Sequence, residues 1–216
     1  MCFSSSASFS VGVIIAGFGT ISLIKAEKPN QKMFAAMPLI FAAQQFTEGT
    51  LWLALENNNV QLQKFSTMLF LFIAQVIWPL WVPLSIRILE KNRKLSLDIM
   101  TIFGAGVSIY LAYCLFSYHV SAKIESYHIL YQLEYPPTIR NIGGIIYLIV
   151  TIAPPFFASL KHIWILGSSI FVSYVLAFIF YESYVISVWC FFSAVISILV
   201  LYFVNHFKNE EATNPS

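Results

Sequence analysis

The chain has 216 residues, of which 58% are hydrophobic and only 10% charged, against roughly a quarter charged in an ordinary soluble domain. That composition excludes a water-soluble globule, and its apolar content excludes a disordered segment. Twelve Lys and Arg against ten Asp and Glu give a net charge of +2, and no basic arm exists to bind nucleic acid.

A hydrocarbon core about 30 Å thick takes roughly 20 apolar residues per helix. Apolar runs bounded by charges or turn residues cover 7–24, 33–55, 65–89, 98–118, 139–159, 163–180 and 184–205. They predict an all-α integral membrane bundle of seven transmembrane helices, a single domain over 1–208 with a short polar tail at 209–216. The first run is expected to be a retained helix, because Met1 to Phe9 carries no charge and no small-x-small cleavage site precedes Lys25. Lys25 to Lys32, Glu56 with Asn57 to Asn59, and Glu90 to Lys94 are clear stops. The weakest break is Tyr181-Glu-Ser-Tyr184; read through, it would leave a run of about 43 residues, which suits two spans rather than one.

Cytoplasmic loops retain positive charge. Lys25, Lys28, Lys32, Arg87, Lys91, Arg93, Lys94, Lys161 and Lys208 fall on one side of the seven-helix scheme, and only Lys64, Lys123 and Arg140 on the other. The expectation is therefore an external N-terminus and a cytoplasmic C-terminus. The 22 residues from His119 to Arg140 form the one long external loop, and its Ile129, Leu130, Tyr131 and Leu133 suggest a lid over the bundle or a solvated connector.

Helices in lipid associate where small residues recur every fourth position. Ser4, Ser8, Gly12, Ala16 and Thr20 make such a stripe, as do Gly104, Ser108 and Ala112, then Ser169, Ser173 and Ala177, and finally Ser193 and Ser197. Pro79, Pro83 and Pro154-Pro155 are expected to kink or end their helices, since each removes a backbone donor.

The second run carries the chemistry. Gln44, Gln45, Glu48 and Trp52 stand three or four residues apart, so they line one face, and Glu48 lies roughly 10 Å below the outer surface at 1.5 Å per residue. An ionised carboxylate there is costly, so Glu48 is expected to be neutral at pH 7 or paired with a donor or a cation. The alternative is that Gln44, Gln45 and Glu48 are interhelical hydrogen-bond glue. Gln75 near the midplane, Glu182 in the external turn and Trp189 complete an outward-facing candidate pocket. For Trp52 an interfacial belt is the favoured reading, and for Trp78 packing against the Pro79 kink.

Cys2, Cys114 and Cys190 all fall toward the outer side. Cys2 and Cys190 with His128 would make a soft site for Cu(I) or Zn(II), although no CxxC or HxxxH spacing supports it, and inert thiols remain the broader expectation. Retinal is excluded, because no Lys lies within the sixth or seventh run. Three histidines cannot meet at one zinc, because His119 and His128 are outside and His162 and His206 inside. No His lies deep enough in a span for a Ser and His pair.

Met1-Cys-Phe-Ser-Ser-Ser-Ala-Ser-Phe9, Gln44-Gln-Phe-Thr-Glu-Gly-Thr-Leu-Trp52, Trp78-Pro-Leu-Trp-Val-Pro83 and Ser187-Val-Trp-Cys-Phe-Phe-Ser-Ala194 resemble a family of uncharacterised bacterial multi-pass membrane proteins, a domain of unknown function. The resemblance spans nearly the whole chain. It implies a bacterial inner membrane and no assigned reaction, and it groups Cys2, Glu48, Trp189 and Cys190 as one constellation. Three functions follow as expectations: binding, sensing or transport of a small or lipid-like ligand around Glu48; a metal-assisted enzyme with Glu48 as general base; or an assembly partner without a ligand site.

Overall fold

Ser4 opens the first helix, its hydroxyl accepting the Ala7 N–H at 3.3 Å, which satisfies one of the donors left over at a helix start. The computed structural model describes residues 4–125 and 127–213, with the side chains of 137–141, 190, 191 and 208–213 outside that description. The helices are α1 (Ser5–Lys25), α2 (Pro29–Ala35), α3 (Met37–Glu56), α4 (Val60–Leu71), α5 (Trp78–Leu89), α6 (Leu95–Ser117), α7 (Pro137–Ile152), α8 (Pro154–Phe157), α9 (Trp164–Tyr181), α10 (Val185–Phe191) and α11 (Ser193–Thr213). A π-helical turn, Phe72–Ile77, joins α4 to α5, and a 3-10 turn, Glu182–Tyr184, joins α9 to α10.

The protein is about 80% helical. Four stretches are long and apolar enough to cross a membrane: Ser5–Lys25, Val60–Leu89, Leu95–Ser117 and Trp164–Trp189. Ile142–Ile152 and Ser193–Phe207 are apolar but shorter. Within Trp164–Trp189 the chain doubles back, because the Trp189 indole donates to the Ser173 hydroxyl at 3.0 Å although 16 residues separate them, roughly 24 Å in a straight helix. Tyr181, with φ −142° and ψ 44°, is where the α-helical path breaks. A further break at Phe192 divides the run expected at 184–205 between α10, which begins at Val185, and α11, which begins at Ser193. Backbone helix then continues to Thr213, so most of the polar tail expected at 209–216 is helical; the Glu and Ala residues there are good helix formers.

The expected outer loop is a β-hairpin, a departure from an all-α fold. β1 (Val120–Glu125) pairs antiparallel with β2 (His128–Leu133) in a register that sets Val120 opposite Leu133 and Glu125 opposite His128. Ile129 and Tyr131 are buried and Gln132 is exposed, the alternation of a strand with one covered face. Tyr131 stacks on Phe70 of α4 with ring centres 4.6 Å apart, and the His128 ring stacks on Tyr184 at 4.7 Å. The hairpin thus lies over the bundle end that holds the α9–α10 turn.

α1 packs chiefly on α3, but the buried face is Ser8, Gly12, Ile15, Gly19 and Ser22, not the strict fourfold stripe. Thr20 is exposed, its hydroxyl returned to the Ala16 carbonyl at 2.9 Å. Steps of four residues drift about 40° round a helix, whereas alternating steps of four and three stay on one face. At Gly19 an added Cβ would lie 2.9 Å from the Leu39 backbone nitrogen. Gly104 on α6 is tighter still, its Cβ position 2.1 Å from the Pro79 carbonyl oxygen.

Candidate functional site

A cavity of about 400 Å³ lies among α3, the π-turn, α5, α6, α7, α9 and α10, within the range of small-molecule sites. Its wall is aromatic: Phe41, Trp78, Tyr135, Tyr147, Tyr174 and Trp189. Phe41 stacks on Trp78 at 4.0 Å, and Trp189 stands edge-on to Tyr174 at 5.3 Å and to Tyr147 at 6.1 Å. The polar lining is Gln44, Gln75 and Thr151 besides the tyrosines, and among the described residues no Asp, Glu, Lys, Arg or His lines it.

The sequence accounts for how these groups are held. Trp78 is buried, and its indole, a donor only, gives its N–H to Gln44 Oε1 at 3.0 Å. Pro79 supplies no N–H. In the register of the π-turn the carbonyl of residue 74 would be met by the N–H of residue 79, so this backbone oxygen needs an outside donor. Tyr147 of α7 provides it, at 2.7 Å from Ala74 O. Tyr135, just after β2, donates to Gln75 Oε1 at 2.9 Å and ties the hairpin's trailing end across the cavity. Burial pushes the Tyr135 phenol well above its usual range, so it is a protonated donor.

Gln44, Gln75 and Trp189 from the sequence-derived set line this cavity; Glu48, Gln45, Trp52 and Glu182 do not. Glu48 is fully buried, and its Oε1 accepts the Ser187 hydroxyl at 2.5 Å, so its face of α3 is closed by α10. Gln45 is buried beside α1, where an added Cβ on Gly12 would touch its side chain. Trp52 is 4% exposed and packs with Leu51, Phe70 and Ile129, in place of the interfacial belt expected; its indole N–H has no partner among the described residues. Glu182 is exposed in the 3-10 turn.

Of the metal candidates, His128 packs between Tyr181 and Tyr184, Cys2 lies outside the described residues, and so does the side chain of Cys190. Among the described residues no group of three His, Cys, Asp or Glu could hold a metal ion, and Cys114 is a buried free thiol.

Sequence reasoning did not single out Tyr135, Tyr147, Tyr174 or Ser187. Pro79 signals that a carbonyl nearby needs a donor, but not that Tyr147 is the donor.

A bundle of apolar helices long enough to span a bilayer, capped by a hairpin around an aromatic cavity, defines a polytopic membrane protein. The chain belongs to a family of unknown function (DUF6629), whose model matches residues 1–214. No curated protein and no solved structure matches it significantly.

Proposed function

We propose that this protein crosses a bacterial inner membrane seven times, with its N-terminus outside, and binds, senses or carries a small uncharged or lipid-like ligand that reaches the cavity from the bilayer. The aromatic cavity carries the reading. Its lining includes Gly144 and Ile145 of α7, both exposed, on the same helix as exposed Ile142 and Ile149. An opening flanked by exposed isoleucine faces hydrocarbon more readily than water. With no Asp, Glu, Lys, Arg or His in its wall among the described residues, the cavity disfavours a carboxylate or phosphate ligand, because an unpaired buried charge is costly.

Two observations support the topology. Loops rich in Lys and Arg meet at one end, where the Lys94 ammonium donates to the Phe157 carbonyl at 2.9 Å and Glu90 accepts the Ser159 N–H at 2.6 Å. The hairpin lies by the α9–α10 turn, away from them, as loops on opposite membrane faces would.

The test uses protein in nanodiscs titrated with 1-bromododecane, whose heavy atom quenches nearby tryptophan emission. Trp78 and Trp189 in the wall predict saturable quenching. An added Cβ at Gly144 meets nothing within 4 Å, so Gly144→Phe should fold and obstruct the opening, leaving only the linear quenching of bulk partition. Linear quenching in the wild type would refute the reading.

A further inference from the structure

The cavity's hydrogen-bond inventory narrows the ligand. Tyr147 donates to Ala74 O, Tyr135 to Gln75 Oε1, Trp78 to Gln44 Oε1, Trp189 to Ser173 and Thr151 to Tyr147 O. These donors are spent within the protein. Two groups in the wall are not. The Gln75 side-chain amide N–H₂ and the Tyr174 hydroxyl make no hydrogen bond among the described residues. The first is a donor only, and the second donates readily. Gln75 is also oriented, because its oxygen is pinned by Tyr135 at 2.9 Å, leaving its N–H₂ as the group able to turn to a ligand.

From this pattern we propose that the cavity takes an uncharged, ring-bearing lipid that presents carbonyl acceptors, of which a quinone dissolved in the bilayer is the representative, with Gln75 and Tyr174 as its donors. The proposal rests on the reading of the cavity as a ligand site and specifies its substrate class. Aromatic walls suit a planar ring, whose faces and edges they meet at ordinary stacking distances. A ligand without acceptors would bury both donors unsatisfied, and that penalty discriminates against it. A carboxylic acid or phosphate would meet no cation among the described residues of the lining. No electron transfer is implied; the step is binding alone.

The experiment measures binding of decylubiquinone and of decylbenzene, a ring and chain of similar reach without carbonyls, to the full chain in nanodiscs. The wild type should prefer the quinone. Tyr174→Phe removes only a hydroxyl and should weaken quinone binding about three- to tenfold, the net value of a hydrogen bond, while leaving decylbenzene unchanged. Gln75→Leu should do the same, and Tyr174→Phe carries the test if that variant fails to fold. Equal affinity for the two probes, or quinone binding untouched by both substitutions, would overturn the carbonyl assignment while leaving the cavity reading intact. Failure of both probes to bind saturably would overturn both.

Discussion

Tyr147→Phe tests the link between the proline in α5 and the tyrosine in α7. The variant keeps the ring against Trp189 at 6.1 Å and deletes only the hydroxyl that meets Ala74 O at 2.7 Å. That oxygen cannot turn to the N–H of residue 79, because residue 79 is proline, so it is left without this donor in the cavity wall. An orphaned buried acceptor costs about 1–3 kcal/mol in soluble proteins, and hydrogen bonds in membrane bundles average about 0.6 kcal/mol; a loss of about 1 kcal/mol is expected. The second arm is Pro79→Ala, which returns an N–H to the helix and gives Ala74 O an alternative partner. In that background Tyr147→Phe should cost about half as much or less, a coupling readable from a double-mutant cycle. Unfolding of detergent-solubilised protein by graded SDS, followed by far-ultraviolet circular dichroism, measures all four states. If Tyr147→Phe costs the same with and without Pro79, the Ala74 carbonyl is not what the Tyr147 hydroxyl serves.

The two glycines of α6 should respond in opposite directions. Gly104→Ala sets a methyl 2.1 Å from the Pro79 oxygen and should lose about 2 kcal/mol or more through overpacking, whereas an added Cβ at Gly106 meets nothing within 4 Å, so Gly106→Ala should gain about 0.5–1 kcal/mol from helix propensity. The same SDS assay distinguishes them, and equal effects would contradict the packing described. Glu48→Gln keeps an acceptor for Ser187 and should change stability by less than about 1 kcal/mol, while Glu48→Leu should cost about 1–3 kcal/mol; a Leu variant as stable as the wild type would show that the Ser187 bond contributes nothing. Burial raises the Tyr135 phenol, so its contribution is fully present below the unfolded value of about 10 and is lost as pH climbs through the raised folded value. Tyr135→Phe should therefore be less stable than the wild type at pH 8, with the gap closing in strong alkali, and a gap independent of pH would refute it.

Helix positions were legible in the sequence because a hydrocarbon solvent leaves long apolar runs. α6 begins three residues before the run expected at 98 and ends one before 118. Partner choice was less legible. Gln44 and Glu48 differ by about 40° round α3, and that rotation separates a residue facing Trp78, 34 positions on, from one facing Ser187, 139 positions on. Nothing local distinguishes the two, so grouping them in one pocket followed from spacing alone. Trp52 was misplaced for a related reason: amphipathic rings do gather at interfaces, but here β2 covers the site with Ile129 and Tyr131. The strand itself was partly written in the chain, since Ile129, Tyr131 and Leu133 alternate with Leu130 and Gln132; a run read only as apolar conceals that period of two.

The prolines make the same point in the opposite direction. Pro79 and Pro83 mark a place where backbone carbonyls lose their helical donors, and the sequence allowed a bend there without saying what would satisfy the freed oxygens. Each freed oxygen draws in a different neighbour. Ala74 O takes the Tyr147 hydroxyl. Pro79 O, whose helical donor would be the absent N–H of Pro83, is approached by α6 at Gly104, the position where a side chain would collide with it. α6 and α7 are thus anchored on the same irregular stretch, at Pro79 and at Ala74. Ala74, Gln75, Trp78, Leu111 of α6 and Tyr147 of α7 all line the space they enclose. The cavity follows from that anchoring: a regular helix through residues 72–83 would keep its carbonyls to itself and give neither neighbour a reason to dock there.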